Sequence, residues 1–444
     1  MQAVAEIARM PKSLPLLGHA LKLLRDPLRF LEEQRPLGDA VQIRLGLRKA
    51  YILNSPELVR KMLGAPGDQF DRGVIFEVAR PLFGNGVVVA NREHHRERRR
   101  AARPAFQPAQ VSSYANAMVE LAEAGASSWH AGQVIDLHDA MADLTTQVVA
   151  ACLFGVDLAE RDRRDVYESL PVFVVGLARR AYGPLELICR LPTAERRRYT
   201  EAVRRIHDAV DTLIEAAEER VRATGDPMAG GMLAMLQAPP GTSAQQVHDD
   251  VLGVLIGGSH TTAAAAAWIF HFLAAHPDVE SRLTEEVDRV LQDRRPDRST
   301  LTDMPYLQAV IYETLRIVPP VWLFPRRARQ EVRLGDHLIP AGADVFYSPY
   351  ALHHDPRYFP APDTFDPQRW LSGRDAALPR GAFFPFASGT HHCLGADFAM
   401  TELAVITAAV VSRWRLRPVA GEPVRPKVGA TLGPSEMRMR VEPR

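Results

Sequence analysis

The sequence predicts a mainly α-helical protein folded as one large domain spanning 1–444. Three observations carry this. Apolar residues recur at helical spacing through long segments, above all Val111 to Ser127, Met141 to Phe154 and Val251 to Ala275. Strand-like alternation is confined to short pieces, near 36–55, 321–350 and 428–442, so small β-sheets flank a helical core over about 90–318 and 395–414. No Gly/Ser-rich linker and no repeat divides the 444 residues, although that length alone would suggest two or three domains.

The elements follow in order. Asp26-Pro27 is an N-cap followed by proline at the first helical position, opening a helix through about Gln34. Val41, Ile43 and Leu45 alternate with polar residues, and Gly46 to Lys49 turns into Ala50 to Leu53, a β-hairpin. Ser55-Pro56-Glu57 starts another helix. Phe70 to Val89 has no clear period and reads as a long apolar loop, a class that is often functional. From Arg92 to Arg103 runs R-E-H-H-R-E-R-R-R-A-A-R, a basic run heading into a helix, with His95 and Arg99 on one face. It is a solvated face or a clamp for anionic groups. Val166 to Leu191 is apolar with few sharp signals, and Thr193 opens a charged helix reaching about Thr224. Ser243 and Gln246 form a capping box for the long helix ending at His276-Pro277. Later strands gather at Val332–Leu334, Val345–Tyr347 and Met437–Val441, and Ala396 to Trp414 reads as an amphipathic helix.

Composition excludes several classes. Hydrophobic content of 46% and charged content of 24% are those of a globular protein, and a net charge of +1 excludes nucleic-acid binding through overall charge. Cys152, Cys189 and Cys393 make neither a disulfide framework nor a CxxC pair, which fits a reducing cytosol. The N-terminus lacks the apolar run of a signal peptide or anchor. Val251 to Ala275 holds 25 residues without Asp, Glu, Lys or Arg and is long enough to span a bilayer. Its Ser259, His260, Thr261, Thr262 and His271 would be costly in lipid, so it is read as a helix through the centre of the fold.

Four stretches carry chemistry. Phe386 to Gly395 reads F-A-S-G-T-H-H-C-L-G, placing Cys393 in a glycine-punctuated loop before a helix. A thiolate there feels the positive end of the helix dipole, which depresses its pKa and suits it to a metal; the alternative is a buried structural cysteine. Gly389 and Gly395 permit backbone angles and close approaches that other residues resist. Glu313 and Arg316 in E-T-L-R lie on one face of a helix that Pro319 ends, an apolar setting that implies burial and further partners, with Arg369 of F-D-P-Q-R-W as a third member. In L-I-G-G-S-H-T-T, Gly257 and Gly258 weaken the helical ladder and permit a bulge or kink, freeing the Thr261 hydroxyl for a ligand or water; the alternative is a threonine packed among alanines.

These four stretches occur in one order over essentially the whole chain, and the sequence resembles the cytochrome P-450 family, the haem-thiolate monooxygenases. The cysteine loop matches that family's haem signature at Phe386, Gly389, His391, Cys393 and Gly395. The resemblance implies the family's mainly α fold with a long central helix over the haem. It implies haem b (iron protoporphyrin IX) with Cys393 as axial thiolate, Phe386 beside the sulfur, and His95, Arg99, Arg326 and His391 as partners of the propionates. Glu313, Arg316 and Arg369 would be a buried structural triad that locks the cysteine loop. Gly257, Gly258, His260 and Thr261 fall at the oxygen-activating motif.

The chain departs from the family at His260, where an Asp or Glu usually precedes the threonine. An imidazole titrates near neutrality and can shuttle protons in place of the acid. Equally, it can point away and leave delivery to Thr261 and water. A third possibility is that altered delivery suits radical coupling, C–N or C–C bond formation, or desaturation. Retained Thr261 favours monooxygenation with O₂ and two electrons over an oxygen-independent isomerase or dehydratase, or a non-enzymatic haem sensor. About 50 residues follow Cys393, too few for a fused reductase, so a small acidic ferredoxin and its reductase are expected as donors, docking on Arg96, Arg98, Arg100 and Arg103. By family topology the substrate pocket takes Ile75, Phe76, Phe83, Phe173, Val321, Trp322, Phe324, Thr431 and Leu432, an apolar lining for an apolar small molecule. The composition and the L-P-L-L-G-H run look like actinobacterial members that oxidise terpenoids or other secondary metabolites. A bacterial, cytoplasmic monomer without a membrane anchor is the expectation.

Overall fold

A computed structural model of the protein describes residues 6–65, 69–182, 193–292, 294–371, 373, 378–419 and 423–444. The organising element is the central helix, Ala244–Ala275, whose 32 residues run ~48 Å at 1.5 Å per residue. It is the stretch that sequence alone shows to be long and apolar enough to cross a membrane, and here most of it is buried inside the fold. Ala263 to Ala267 are each 1% exposed or less. Side chains that small let neighbouring backbones approach closely, notably the helix Leu137–Phe154, where Thr145 Oγ1 donates to the Ser259 carbonyl at 2.9 Å. Ser243 Oγ accepts from the Gln246 N–H as expected, but the Gln246 side chain reaches to the Asn85 carbonyl instead of closing a capping box.

Local signals place most other elements. Asp26 caps Pro27–Gln34 by accepting from the Arg29 N–H, and Thr193 caps Ala194–Thr224 through the Arg196 N–H. The hairpin Ala40–Leu45 and Arg48–Leu53 pairs in the register Ala40↔Leu53 to Leu45↔Arg48 and turns at Gly46, whose φ is +63°. It joins a six-stranded sheet ordered Ala8–Arg9, Ala40–Leu45, Arg48–Leu53, Asp344–Tyr347, Phe324–Ala328, Phe70–Asp71. Strand Arg438–Pro443 pairs instead with Trp414–Pro418 and Val134–Asp136.

Three expectations change. Phe70 to Val89 is not a plain loop: it holds a two-residue strand and short helices at Val74–Val78 and Arg80–Phe83, too short to show a period. The basic run does not lead into a helix but is one, Arg92–Ala102. Helix Ala396–Val411 is buried on almost every face from Leu403 to Val411, not amphipathic, and ends before Trp414 begins a strand. The apolar stretch after Val166 is helical to Tyr182 within Glu160–Tyr182, and its continuation to Leu191, with Cys189, lies outside the described residues.

Candidate functional site

The cysteine loop is built by backbone constraint. Cys393 N–H donates to the Phe386 carbonyl at 2.9 Å and Ala387 N–H to the Phe384 carbonyl at 3.1 Å, closing the loop on itself. Gly389 adopts φ +69°, and a Cβ there would sit 2.5 Å from the Leu63 carbonyl oxygen, so only glycine fits. Gly395 is the N-cap of Ala396–Val411 and faces the Phe106 ring. Cys393 is exposed at the mouth of the loop, while Cys152 is packed in the core. Although the residue keeps exposed surface, the protein packed around the sulfur desolvates the thiolate by more than the Gly395 N–H and the Arg99 charge stabilise it, so the thiol pKa is raised, not depressed. The expected low-pKa thiol is therefore absent from the protein part alone, and a bound cation would be the agent that deprotonates it.

Next to the loop, cations converge. A cleft of about 740 Å³ is lined by Arg72, His95, Arg326, Thr390 and His391. The His95 and His391 rings stack with centroids 4.5 Å apart. Burial, then the nearby arginines, lower His95 to about 3 and His391 to about 2, so both rings are neutral donors. Arg99 is lowered by burial and is electrostatically coupled to Cys393. Arg72, absent from the sequence reading, is brought down to about 9 by burial and by Arg326, and its guanidinium is held by the Ala90 and Val87 carbonyls, both at 3.0 Å. Among the described residues no carboxylate pairs with Arg72, Arg99 or Arg326. Clustered cations, Arg326 buried and Arg72 and Arg99 half-buried, are costly without counter-charge, and two carboxylates arriving on one ligand would relieve that cost. The residues thus fit the acidic edge of a haem.

The triad is brought together. Arg316, with no exposed surface, grips Glu313 bidentately with Nε and Nη2 both at 2.9 Å, and spends its remaining donors on the His353, Pro362 and Thr364 carbonyls. Arg369 Nε reaches Glu313 more loosely, at 3.4 Å. Trp370 Nε1 donates to Glu313 at 2.8 Å and the Asp366 N–H at 3.0 Å, so the fourth partner is the tryptophan next to Arg369. Through His353, whose Nε2 accepts from the Phe384 N–H at 3.2 Å, this network reaches the start of the cysteine loop.

On the central helix the glycine pair does not break the helix. Thr261 Oγ1 donates to the Gly257 carbonyl at 2.7 Å and Thr262 Oγ1 to Gly258 at 2.8 Å, so both hydroxyls are used on the backbone. Gly257 faces open space, whereas a Cβ on Gly258 would lie 2.8 Å from Val149 Cγ2. His260 turns toward Thr431, its Nε2 3.4 Å from Thr431 Oγ1, with the His138 ring 6.1 Å away between centroids.

The nine pocket positions divide. Phe76 lies under the Arg72 guanidinium, Phe324 stacks on Tyr347, and Trp322 Nε1 donates to the Gly429 carbonyl. Ile75 and Val321 are half-buried. Phe173 packs fully in the core between Phe83 and Tyr199, and Leu432 is fully buried, its carbonyl accepting from Trp268 Nε1. Thr431 is nearly buried. The basic run also divides: Arg96, Arg100 and Arg103 are exposed, but Arg98 is buried and cannot join a docking surface. Its Nε donates to Asp250 at 2.6 Å, tying the basic helix to the central helix. A single buried arginine within a basic run carries no sequence signal; its partner lies 152 residues away.

The family model for cytochrome P450 matches residues 9–439. Cyclooctatin synthase of Streptomyces melanosporofaciens is 38% identical over 438 residues, covering 98% of this chain and 95% of the relative. Cyclooctat-9-en-7-ol 5-monooxygenase of the same organism is 40% identical over 440 residues, again covering 98% and 95%. Pentalenene oxygenase of Streptomyces avermitilis is 34% identical over 438 residues, covering 98% and 97%. A cysteine loop closed beside uncompensated arginines, with end-to-end similarity to these enzymes, places the chain in the cytochrome P450 family of haem-thiolate monooxygenases.

Proposed function

We propose that the protein hydroxylates, or otherwise oxidises at C–H, a terpenoid secondary metabolite in a bacterial cytoplasm, using electrons from a ferredoxin and its reductase. Cys393 would ligate the iron of haem b through its thiolate, and Arg72, His95, Arg99, Arg326 and His391 would hold the propionates. The haem would supply two-electron activation of O₂, tuned by thiolate donation. The protein orients the group through its cations, fixes the sulfur through the 386–395 loop, and anchors that loop through Glu313, Arg316 and Arg369. Thr261, whose hydroxyl donates to the carbonyl of exposed Gly257 at 2.7 Å, would hold the proton at its Oγ1. Phe76, Phe83, Val321, Trp322 and Phe324 shape an apolar enclosure that excludes water around a hydrocarbon.

The observation that carries this reading is the set of arginines without counter-charge beside the one exposed cysteine among the described residues. Similarity to enzymes named for cyclooctatin, cyclooctat-9-en-7-ol and pentalenene supports the terpenoid class. Arg96, Arg100 and Arg103 offer an acidic ferredoxin its docking charge, so donor affinity falls steeply as salt rises. The test is a spin-state titration of the purified haem protein against cyclic di- and sesquiterpenes, followed by turnover with ferredoxin and mass analysis of products. Shifts with fatty acids or macrolides and none with terpenes would overturn the substrate class. His260→Glu and His260→Ala address proton supply: unchanged coupling of NAD(P)H to product in both removes His260 from the mechanism.

A further inference from the structure

Among the described residues five histidines have a buried ring nitrogen without a hydrogen-bond partner, and two of them, His138 and His260, are neighbours. His260 Nδ1 and His138 Nε2 each have no hydrogen-bond partner. Buried polar atoms are almost always satisfied, by protein or by ordered water. Their ring centroids are 6.1 Å apart at an interplanar angle of 52°. A direct nitrogen-to-nitrogen bond needs ring centres within about 5 Å, whereas a single bridging water suits about 6–7 Å. The pair is closed in by glycine: a Cβ on Gly433 would lie 3.7 Å from His138 Nε2 and 3.8 Å from Thr431 Oγ1. The His260 ring's other nitrogen meets Thr431 Oγ1 at 3.4 Å.

The outer end of this row meets solvent. His138 is the second residue of helix Leu137–Phe154, beside its N-cap Asp136, whose carboxylate accepts from the His138 and Asp139 N–H groups. The charges acting on the His138 ring are half-buried Asp136 and exposed Lys427; the one acting on His260 is His138. Among the described residues no carboxylate is paired with either ring, so neither is held as a fixed cation.

We propose that His138, a bridging water, His260 and Thr431 form a proton relay that enters the fold at Asp136 and Lys427 and ends at Thr431, the hydroxyl met by the residue preceding Thr261. This rests on the monooxygenase reading. In one transfer His260 Nδ1 takes a proton from the water as Nε2–H releases one to Thr431 Oγ1, whose own hydroxyl proton passes on to the group being protonated in the reaction. His138 restores the water's proton from solvent, and tautomer exchange resets both rings. One proton enters and one leaves, and no electron moves. Lowered basicity of both rings, caused first by burial, keeps them neutral and able to accept on one nitrogen while donating from the other.

The test uses the full-length haem-loaded protein with ¹⁵N-histidine, in the diamagnetic ferrous CO form that also reports an intact thiolate. His260 imidazole shifts, assigned with His260→Gln, should move in both His138→Phe and His138→Gln; shifts unmoved in both variants overturn the relay. With reductase and ferredoxin supplied, each single variant should release several-fold more hydrogen peroxide per NADPH. The double variant His138→Phe/His260→Gln should be no worse than His260→Gln alone, and the solvent isotope effect should grow. Additive losses, or peroxide yields equal to the parent's, overturn the relay. Absence of O₂ consumption in the parent with any donor instead overturns the monooxygenase reading, and the NMR comparison still decides the histidine coupling.

Discussion

Removing the charge of Asp250 should damage the fold more than removing that of Arg98, although each substitution breaks the same ion pair. The Arg98 and Asp250 side chains are 1% and 0% exposed, and Asp250 also accepts from the Val87 N–H at 2.7 Å. In Asp250→Asn the guanidinium keeps Thr242 Oγ1 and the Leu236 carbonyl, both at 3.1 Å, but cannot shed its proton. Breaking a buried pair in this way costs about 3–5 kcal/mol, a large part of the ~5–15 kcal/mol that holds a typical native state. In Arg98→Met the survivor is a carboxylate whose pKa burial already raises even against Arg98. It takes up a proton, and the cost drops to about 1–3 kcal/mol, that of an imperfectly satisfied polar group. The sign follows. A carboxyl with folded pKa above its unfolded value stabilises at low pH and loses that contribution as pH rises through the folded pKa. Arg98→Met should therefore be less destabilised at pH 5.5 than at pH 8, relative to the parent, while Asp250→Asn shows no such dependence. The double variant should recover most of the loss. Urea midpoints of the full chain at both pH values measure this. Equal losses for the two single variants at both pH values would refute the asymmetry.

Three other outcomes are expected. In the haem-free chain Gly258→Ala forces a Cβ to 2.8 Å from the Val149 side chain, a stiff β-branched neighbour, and should destabilise by about 1–3 kcal/mol, whereas Gly257→Ala, with no protein atom within 4 Å, should be neutral or stabilising by about 0.5–1 kcal/mol; paired thermal melts of the haem-free protein decide it. Arg72→Met should stabilise the haem-free chain by removing like-charge repulsion with Arg326 and Arg99, yet speed haem loss to an acceptor protein about tenfold, since a charge-assisted bond is worth ~1.5–3 kcal/mol. His260 and His354 are each lowered to about 4, mainly by burial. Lowered histidines leave stability intact above the unfolded value near 6.5 and drain it as pH falls toward 4, about 3 kcal/mol each, so urea midpoints should fall over that window and His260→Asn should flatten the fall.

Much of this molecule is local and therefore legible in its sequence. Asp26 before Pro27, Thr193 before a charged helix and Gly46 in a hairpin each act within a few residues, and each element lies where those signals put it. The order of the G-G-S-H-T-T, E-T-L-R, F-D-P-Q-R-W and cysteine stretches identifies the family, because each is a contiguous run whose chemistry is written side by side. What only the tertiary structure decides is long-range. Arg98 sits in a run that reads as a solvated face, and its burial depends on Asp250, on another helix. Arg72 joins the cation cluster because strand Phe70–Asp71 pairs with Phe324–Ala328, which carries Arg326, and because the distant Val87 and Ala90 carbonyls hold its guanidinium. The Cys393 thiol reads as acidic from its place before a helix, yet desolvation by the surrounding fold, which no local pattern reports, outweighs the Gly395 N–H and the Arg99 charge. His260 is a departure visible in the sequence, but its partner is not: His138 lies more than a hundred residues upstream, and only the packing of its helix against the central helix brings the two rings together.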